Sequence, residues 1–179
     1  MDEPLEDLQY PIGRFTAPDT YQPDLQPEWI SAIEALPLWL DVCIENLDAE
    51  QLDTPYRPGG WTVNQVIHHL ADSHMNAFIR LKLALTEESP TIRPYEEKLW
   101  ATTPEVEAVP VNVSITLLHA LHRRWGQLLR HMQPEDWTRT YFHPEQDRYV
   151  PLWEMADVYA WHGRHHMEQI RRLRQRMEW

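Results

Sequence analysis

The stretch YAWHGRHHMEQIRRL, residues 159–173, contains three histidines within five positions, His162, His165 and His166. On a helix, His162 and His166 lie one turn apart and about 40° apart around the axis, whereas His165 lies off this face and is expected to point outward. Two imidazoles side by side can hold a divalent metal ion, as in helical zinc motifs. The spacing equally allows two neutral core histidines, each bonded to a backbone carbonyl.

A metal ion at this pair needs a further ligand from another element, and the stretch VIHHLADSHMN, residues 66–76, supplies candidates. His68 and His69 flank the apolar stripe of this segment on opposite sides, so periodicity alone does not choose between them. Polar residues share the flank of His69, and a ligand at the edge of a polar cleft favours that histidine. The same polar flank is also consistent with a solvated helix face. His74 and His122 lie on apolar stripes, where they are either hydrogen-bonded core residues or outer neighbours of the metal ligands.

Three neutral imidazoles would leave the ion its full charge and an open coordination position, which is typical of catalytic sites. Such an ion lowers the pKa of bound water to about 7, or holds a substrate thiol as its thiolate. Asp72 and Glu96 are candidates for a catalytic base, although a solvent-exposed acid is the favoured interpretation of each. Gly163 follows the first histidine where helical zinc proteases carry glutamate, which excludes that class. Four tryptophans are candidates for lining a pocket over the ion: Trp61, Trp100, Trp125 and Trp161. For Trp125, which lies on the inner stripe of its helix, core packing is the favoured interpretation.

Four amphipathic segments must position these side chains, and together they predict an all-α four-helix bundle with long connecting loops. The second helix is expected over residues 63–86, because Thr62 and Gln65 have the spacing of a capping box. Ser114 is expected to cap the third helix, and the fourth is expected over residues 152–177.

The domain organisation follows from the prolines and the apolar periodicity. Residues 1–25 are rich in proline and acids and lack an apolar period, so we expect an extended N-terminal arm there. The remainder, residues 26–179, is expected to form the bundle. A long loop is predicted over residues 88–113, and a short hairpin before the fourth helix.

Composition narrows the functional classes. An apolar fraction of 42% with nine tryptophans indicates a packed globule. A net charge of −12 argues against nucleic-acid binding. No segment has the length and apolarity of a membrane span or a leader, so we expect neither a membrane protein nor a secreted one. The lone cysteine, Cys43, suggests a reducing cytoplasm.

Two segments carry a family resemblance: QLDTPYRPGGWTVNQVIHHLADSHMNAFIRLKLALTEESPTIRPYEEKLW, residues 51–100, and YAWHGRHHMEQI, residues 159–170. Both closely resemble YfiT-type proteins of the DinB-like superfamily, and the likeness extends from YPIG, near residue 10, almost to the C-terminus. The resemblance implies the DinB-type four-helix bundle. It also implies a metal site formed by His69, His162 and His166.

The resemblance further implies a homodimer with bound zinc or nickel. Proteins of this type are commonly described as metal-dependent hydrolases acting on a small-molecule substrate, and this is the function we expect. Some relatives instead transfer low-molecular-weight thiols such as bacillithiol, so a metal-dependent S-transferase is the first alternative. The second alternative is a metal-binding dimeric module without catalysis.

Overall fold

The computed structural model describes residues 4–179, and four long helices form its scaffold. In chain order the helices are α1 (Leu5–Gln9), α2 (Gln26–Ile44), α3 (Ala49–Leu52), α4 (Val63–Thr86), α5 (Glu97–Trp100), α6 (Pro104–Ala108), α7 (Val111–His131) and α8 (Leu152–Met177). Two strands, β1 (Thr140–His143) and β2 (Arg148–Pro151), lie between α7 and α8. No helix in this described range is long and apolar enough to cross a bilayer.

The long helices α2, α4, α7 and α8 form a four-helix bundle, as the sequence predicts. Helix α2 packs extensively against α7 and α8, and α4 packs against the same two helices. The first two long helices of the chain therefore occupy opposite corners of the bundle. The predicted hairpin is also present: β1 and β2 pair antiparallel, with Tyr141 opposite Val150.

The ends of the long helices follow local signals in the sequence. The capping box predicted for α4 is confirmed, because Gln65 N–H donates to Thr62 Oγ1 at 3.1 Å and Thr62 N–H donates to Gln65 Oε1 at 3.0 Å. The prediction that Ser114 caps the third helix is wrong. Helix α7 begins one turn earlier, directly after Pro110, whose backbone adopts extended angles that suit an N-cap.

Two connecting segments are more ordered in the structure than the sequence suggested. Residues 1–3 of the expected extended arm lie outside the described residues, and the rest of the arm contains α1 and a 3₁₀ turn at Pro23–Leu25. This arm contacts α8, where the side-chain amide of Gln169 donates to the carbonyl of Gln9 at 2.9 Å. The expected loop over residues 88–113 contains α5 and α6, which are too short to show an apolar period.

The core consists of two clusters of buried apolar residues separated by a layer of histidines. On α8, the apolar residues of one cluster end at Ala160 and those of the other begin at Ile170, with the histidines of residues 162–166 between them. His74 on α4 and His122 on α7 hydrogen-bond into the same layer. The bundle therefore places polar rings at its middle, where they must find partners within the protein.

Candidate metal centre

Three imidazoles from two helices converge inside the bundle. His69 comes from α4, His162 and His166 come from α8, and one ring nitrogen from each lies within 4.8 Å of the others. The Nε2 atoms of His69 and His162 are 3.3 Å apart. Two nitrogens bound to tetrahedral zinc, at Zn–N distances of about 2.0–2.1 Å, are themselves separated by about 3.3–3.4 Å. The three histidines therefore have a spacing that fits one divalent ion.

The electrostatic environment keeps these rings neutral, as metal ligands must be. Burial lowers the pKa of His69 to about 4. Burial also holds the pKa values of His162 and His166 well below their usual range, and neighbouring imidazoles lower them further. Each ring therefore has one protonated nitrogen and one lone pair at neutral pH.

Two of the three rings have hydrogen-bond partners on the side away from the convergence point. His162 Nδ1 lies 3.1 Å from His74 Nε2, and His74 Nδ1 lies 3.1 Å from His122 Nε2. His166 Nδ1 lies 2.9 Å from the side-chain oxygen of Gln169. The sequence left two interpretations of His74 and His122, as hydrogen-bonded core residues or as outer neighbours of the candidate ligands, and the contacts fit both. Sequence reasoning missed Gln169, which the three-residue spacing from His166 on one helix could have indicated.

His68 points away from the cluster, toward the first turn of α7 and the residues just before it. Its Nδ1 lies 2.8 Å from Ser114 Oγ, and its Nε2 lies 3.1 Å from the carbonyl oxygen of Val109. Both ring nitrogens thus have protein partners, so His68 has the contacts of a hydrogen-bonded core residue. Of the two adjacent histidines, the structure brings only His69 to His162 and His166.

The prediction that His165 faces outward is wrong, since its exposed fraction is 6%. Its ring stacks on Trp161 with centroids 4.5 Å apart and lies 5.8 Å from the ring of Tyr10. Its Nε2 lies 3.0 Å from the side-chain nitrogen of Gln169. The physical reason is the N-terminal arm, which covers a flank of α8 that would otherwise face solvent.

The convergence point opens on a cavity of about 700 Å³, which is within the usual range for a small-molecule site. Trp61 and Trp161 both line it, as expected, and the Trp61 ring centroid is 4.7 Å from that of His69. The other two tryptophans lie elsewhere, since Trp125 is fully buried in the core and Trp100 packs on Tyr95. The remaining lining residues include further aromatic and charged side chains: Tyr10, Tyr56, Arg57, Glu97 and Lys98.

Neither acid suggested as a catalytic base lines this cavity. Asp72 lies on the α6 side of α4, where burial and the nearby Glu105 raise its pKa to about 6. Glu96 precedes α5 and borders a separate groove. The carboxylate that does line the cavity is that of Glu97. Burial raises the pKa of Glu97, and the positive charge of Arg80 partly offsets this increase. The start of α5, which decides between two adjacent glutamates, has no clear signal in the sequence.

Known proteins share this fold and much of this sequence. Two curated relatives, from Bacillus mycoides (strain KBAB4) and Bacillus cereus (strain 03BB102), are each 50% identical over 175 residues, which is 98% of this chain and 100% of the relative. Both carry the designation "Putative metal-dependent hydrolase". A solved structure, described as "YfiT from Bacillus subtilis is a probable metal-dependent hydrolase with an unusual four-helix bundle topology", matches with a TM-score of 0.94.

The YfiT match has 43% sequence identity and covers 97% of this chain and 99% of that chain. The family model of the DinB superfamily matches residues 32–170, a range that begins in α2 and ends in α8. It thus includes His69, His162 and His166. The chain belongs to the DinB superfamily.

Proposed function

We propose that this protein is a metal-dependent hydrolase, in which His69, His162 and His166 hold one divalent ion and water attacks a small-molecule substrate in the adjoining cavity. The observation that carries this proposal is the convergence of three neutral imidazole nitrogens within 4.8 Å at the wall of an open cavity. Three protein ligands leave a coordination position free, which distinguishes a catalytic site from a closed structural one. The names of the curated relatives support the same activity.

A divalent ion bound at this point supplies a Lewis acid that brings the pKa of water close to 7. Zinc or nickel is the ion that the resemblance to YfiT-type proteins implies, and imidazole nitrogens suit both metals. The side chains of the cavity then bind and orient the substrate. Trp61 and Trp161 offer apolar faces, and Arg57 and Lys98, which also line the cavity, offer positive charge. We assign Glu97 the role of accepting or directing a proton, since its carboxylate lines the same cavity.

Transfer of a low-molecular-weight thiol to an electrophile is the second candidate. The small number of carboxylates among the described lining residues supports it. Only one carboxylate, that of Glu97, is found among the described residues lining the cavity. A thiol held as thiolate needs less help from a base than water does, since its pKa is lower.

The metal site is tested by elemental analysis and zinc titration calorimetry on three forms of the protein. The wild-type chain should bind one ion per protomer, and His69→Ala should lose it. His68→Ala is the matched control, because it removes a neighbouring buried histidine whose ring contacts Ser114 and Val109 instead. Retained stoichiometric binding by His69→Ala would refute the proposed ligand set.

The reaction is tested with the metal-loaded protein and a panel of small electrophilic esters, amides and epoxides, each with and without a low-molecular-weight thiol. Product formation without thiol supports hydrolysis and argues against the transferase. A reaction that strictly requires thiol supports the transferase and refutes simple hydrolysis. If the wild-type protein binds the ion but turns over nothing in either arm, the non-catalytic metal-binding module gains support. The expected homodimer is tested separately by sedimentation equilibrium.

A further inference from the structure

We propose that two hydrogen-bond chains fix His162 and His166 as Nδ1–H tautomers, so that both rings direct an Nε2 lone pair to the convergence point before any ion binds. The positioning residues of these chains are His74, His122 and Gln169. The tautomers themselves are properties of the metal-free chain. Only their role in binding an ion through the Nε2 lone pairs rests on the proposed function, which this inference deepens.

The first chain, here the His74 chain, runs from His162 through His74 and His122 to the backbone carbonyl of Ile33. A carbonyl oxygen can only accept, so the Nδ1 of His122 that contacts it must carry the hydrogen. In a neutral imidazole the other nitrogen is then an acceptor, and His122 Nε2 accepts from His74 Nδ1–H at 3.1 Å. By the same logic, His74 Nε2 accepts from His162 Nδ1–H at 3.1 Å. His162 is left with its lone pair on Nε2.

Burial fixes the direction of the hydrogen bonds in the His74 chain. His74 and His122 have exposed fractions of 0% and 1%, and their rings stack with centroids 4.9 Å apart. The Trp125 ring borders both rings, at 5.7 Å from each centroid, and Tyr159 lies against His74. Reversing the chain would place a lone pair of His122 against the Ile33 carbonyl and leave a buried acceptor without a donor. The Trp125 and Tyr159 rings occupy the space beside His74, where a water molecule could otherwise supply the missing donor.

The second chain, here the Gln169 chain, runs from His166 through Gln169 to the backbone carbonyl of Gln9. This carbonyl again only accepts, so the atom of Gln169 that lies 2.9 Å away is the amide nitrogen. The same nitrogen lies 3.0 Å from His165 Nε2, which fits an acceptor there. The Gln169 oxygen is therefore the atom that faces His166 Nδ1 at 2.9 Å, and it accepts from Nδ1–H. His166 is also left with its lone pair on Nε2.

The third ring, that of His69, follows from the other two. Its Nε2 lies 3.3 Å from His162 Nε2, which the His74 chain leaves without a hydrogen. His69 is therefore the donor in this contact and carries its hydrogen on Nε2 in the metal-free protein. Coordination through the same nitrogen requires that hydrogen to move to Nδ1. Among the three rings, only His69 should change tautomer when an ion binds.

The experiment is long-range ¹H–¹⁵N correlation spectroscopy of the full chain labelled with ¹⁵N-histidine, first without metal and then with zinc. Single histidine-to-glutamine variants assign the rings. We expect Nδ1–H at His162 and His166 in both states, and a change from Nε2–H to Nδ1–H at His69 alone. An Nε2–H tautomer at His162 or His166 in the metal-free protein would overturn the inference. If zinc fails to bind, the proposed function fails, whereas the metal-free spectrum still decides the tautomers.

Zinc affinity of variants provides a second readout that a merely structural role would not move. His74→Leu breaks the chain and should weaken binding by about 10–100-fold, as loss of an outer partner of a histidine ligand typically does. His74→Gln should restore most of the affinity, because an amide can accept from His162 and donate to His122. His68→Leu is the control, since it removes another buried histidine of α4 without touching either chain. Equal affinities of His74→Leu and His68→Leu would contradict the assignment of His74.

Discussion

The glycine that follows His162, between the two candidate ligands of α8, provides a quantitative test of how closely α2 and α8 must approach. Gly163 faces Leu36 of α2, whose exposed fraction is 1%. A Cβ added at Gly163 would lie 3.0 Å and 3.1 Å from the two Leu36 methyl carbons. Ordinary van der Waals contact between carbon atoms begins near 3.5 Å, so Leu36 or the helix backbone would have to shift by several tenths of an ångström.

Two opposing terms set the expected effect of Gly163→Ala on the free energy of unfolding. Alanine is favoured over glycine in a helix interior by about 0.5–1 kcal/mol. Overpacking a buried contact costs about 1–3 kcal/mol, because the neighbours leave their preferred rotamers. We therefore expect a net loss of about 1 kcal/mol, which corresponds to a decrease in Tm of about 2–4 °C for a chain of this size.

A double-mutant cycle with Leu36→Ala separates the two terms. Leu36→Ala alone should destabilise by about 2–5 kcal/mol, since it leaves a cavity. In that background the methyl groups that crowd Gly163 are gone, so Gly163→Ala should become stabilising by about 0.5–1 kcal/mol. Urea unfolding of the metal-free protein measures all four forms. The same sign of the Gly163→Ala effect in both backgrounds would refute the close-approach argument.

Two further predictions concern charge. The metal-free protein should lose stability as the pH falls from about 6.5 to about 4. Burial lowers the folded-state pKa values of His69, His122 and His165 to about 4. The same histidines take up protons near pH 6.5 in the unfolded chain, so acid favours unfolding in this window. Urea unfolding should show a slope of up to about 1.4 kcal/mol per pH unit per histidine in this window, and a flat profile would contradict the assignment of neutral buried rings. Glu97→Gln should reduce turnover by about 100-fold or more with the ion still bound, as removal of a general base does. Asp72→Asn, the control, should change neither turnover nor ion binding. Equal turnover of the two variants in a steady-state assay would exclude the role given to Glu97.

Helix positions were predictable because local signals decide them. Helix α4 begins where Thr62 and Gln65 form reciprocal bonds, and these two side chains can be read directly from the sequence. Ser114 was misleading because serine is a good N-cap in isolation, yet Pro110 already starts α7 one turn earlier. The hydroxyl of Ser114 instead contacts the ring of His68. A local signal thus gives the wrong boundary when a distant residue uses the same side chain.

The flanks of the helices were harder to predict, because periodicity identifies the side of a helix that faces its bundle neighbours and nothing else. His165 lies outside that side, and it is buried only because the segment around Tyr10 folds back across α8. The choice of Glu97 over Glu96 depends in the same way on where a four-residue helix begins. Both features depend on segments without an apolar period, so they required the three-dimensional structure.

The histidine layer shows why the ligands could be proposed from sequence while their hydrogen-bond directions could not. An i, i+4 histidine pair on an apolar stripe indicates that polar rings are buried, but the directions depend on two backbone carbonyls, those of Ile33 and Gln9, which no side-chain pattern encodes. A carbonyl accepts and never donates, so it sets the direction of every hydrogen bond in a chain of neutral imidazoles or amides that ends at it. A polar layer between two apolar clusters is tolerated when its donors meet acceptors within the protein. In the two chains, meeting that requirement leaves the Nε2 lone pairs of His162 and His166 directed at the same point, so satisfying the core and preparing the metal site are one and the same arrangement.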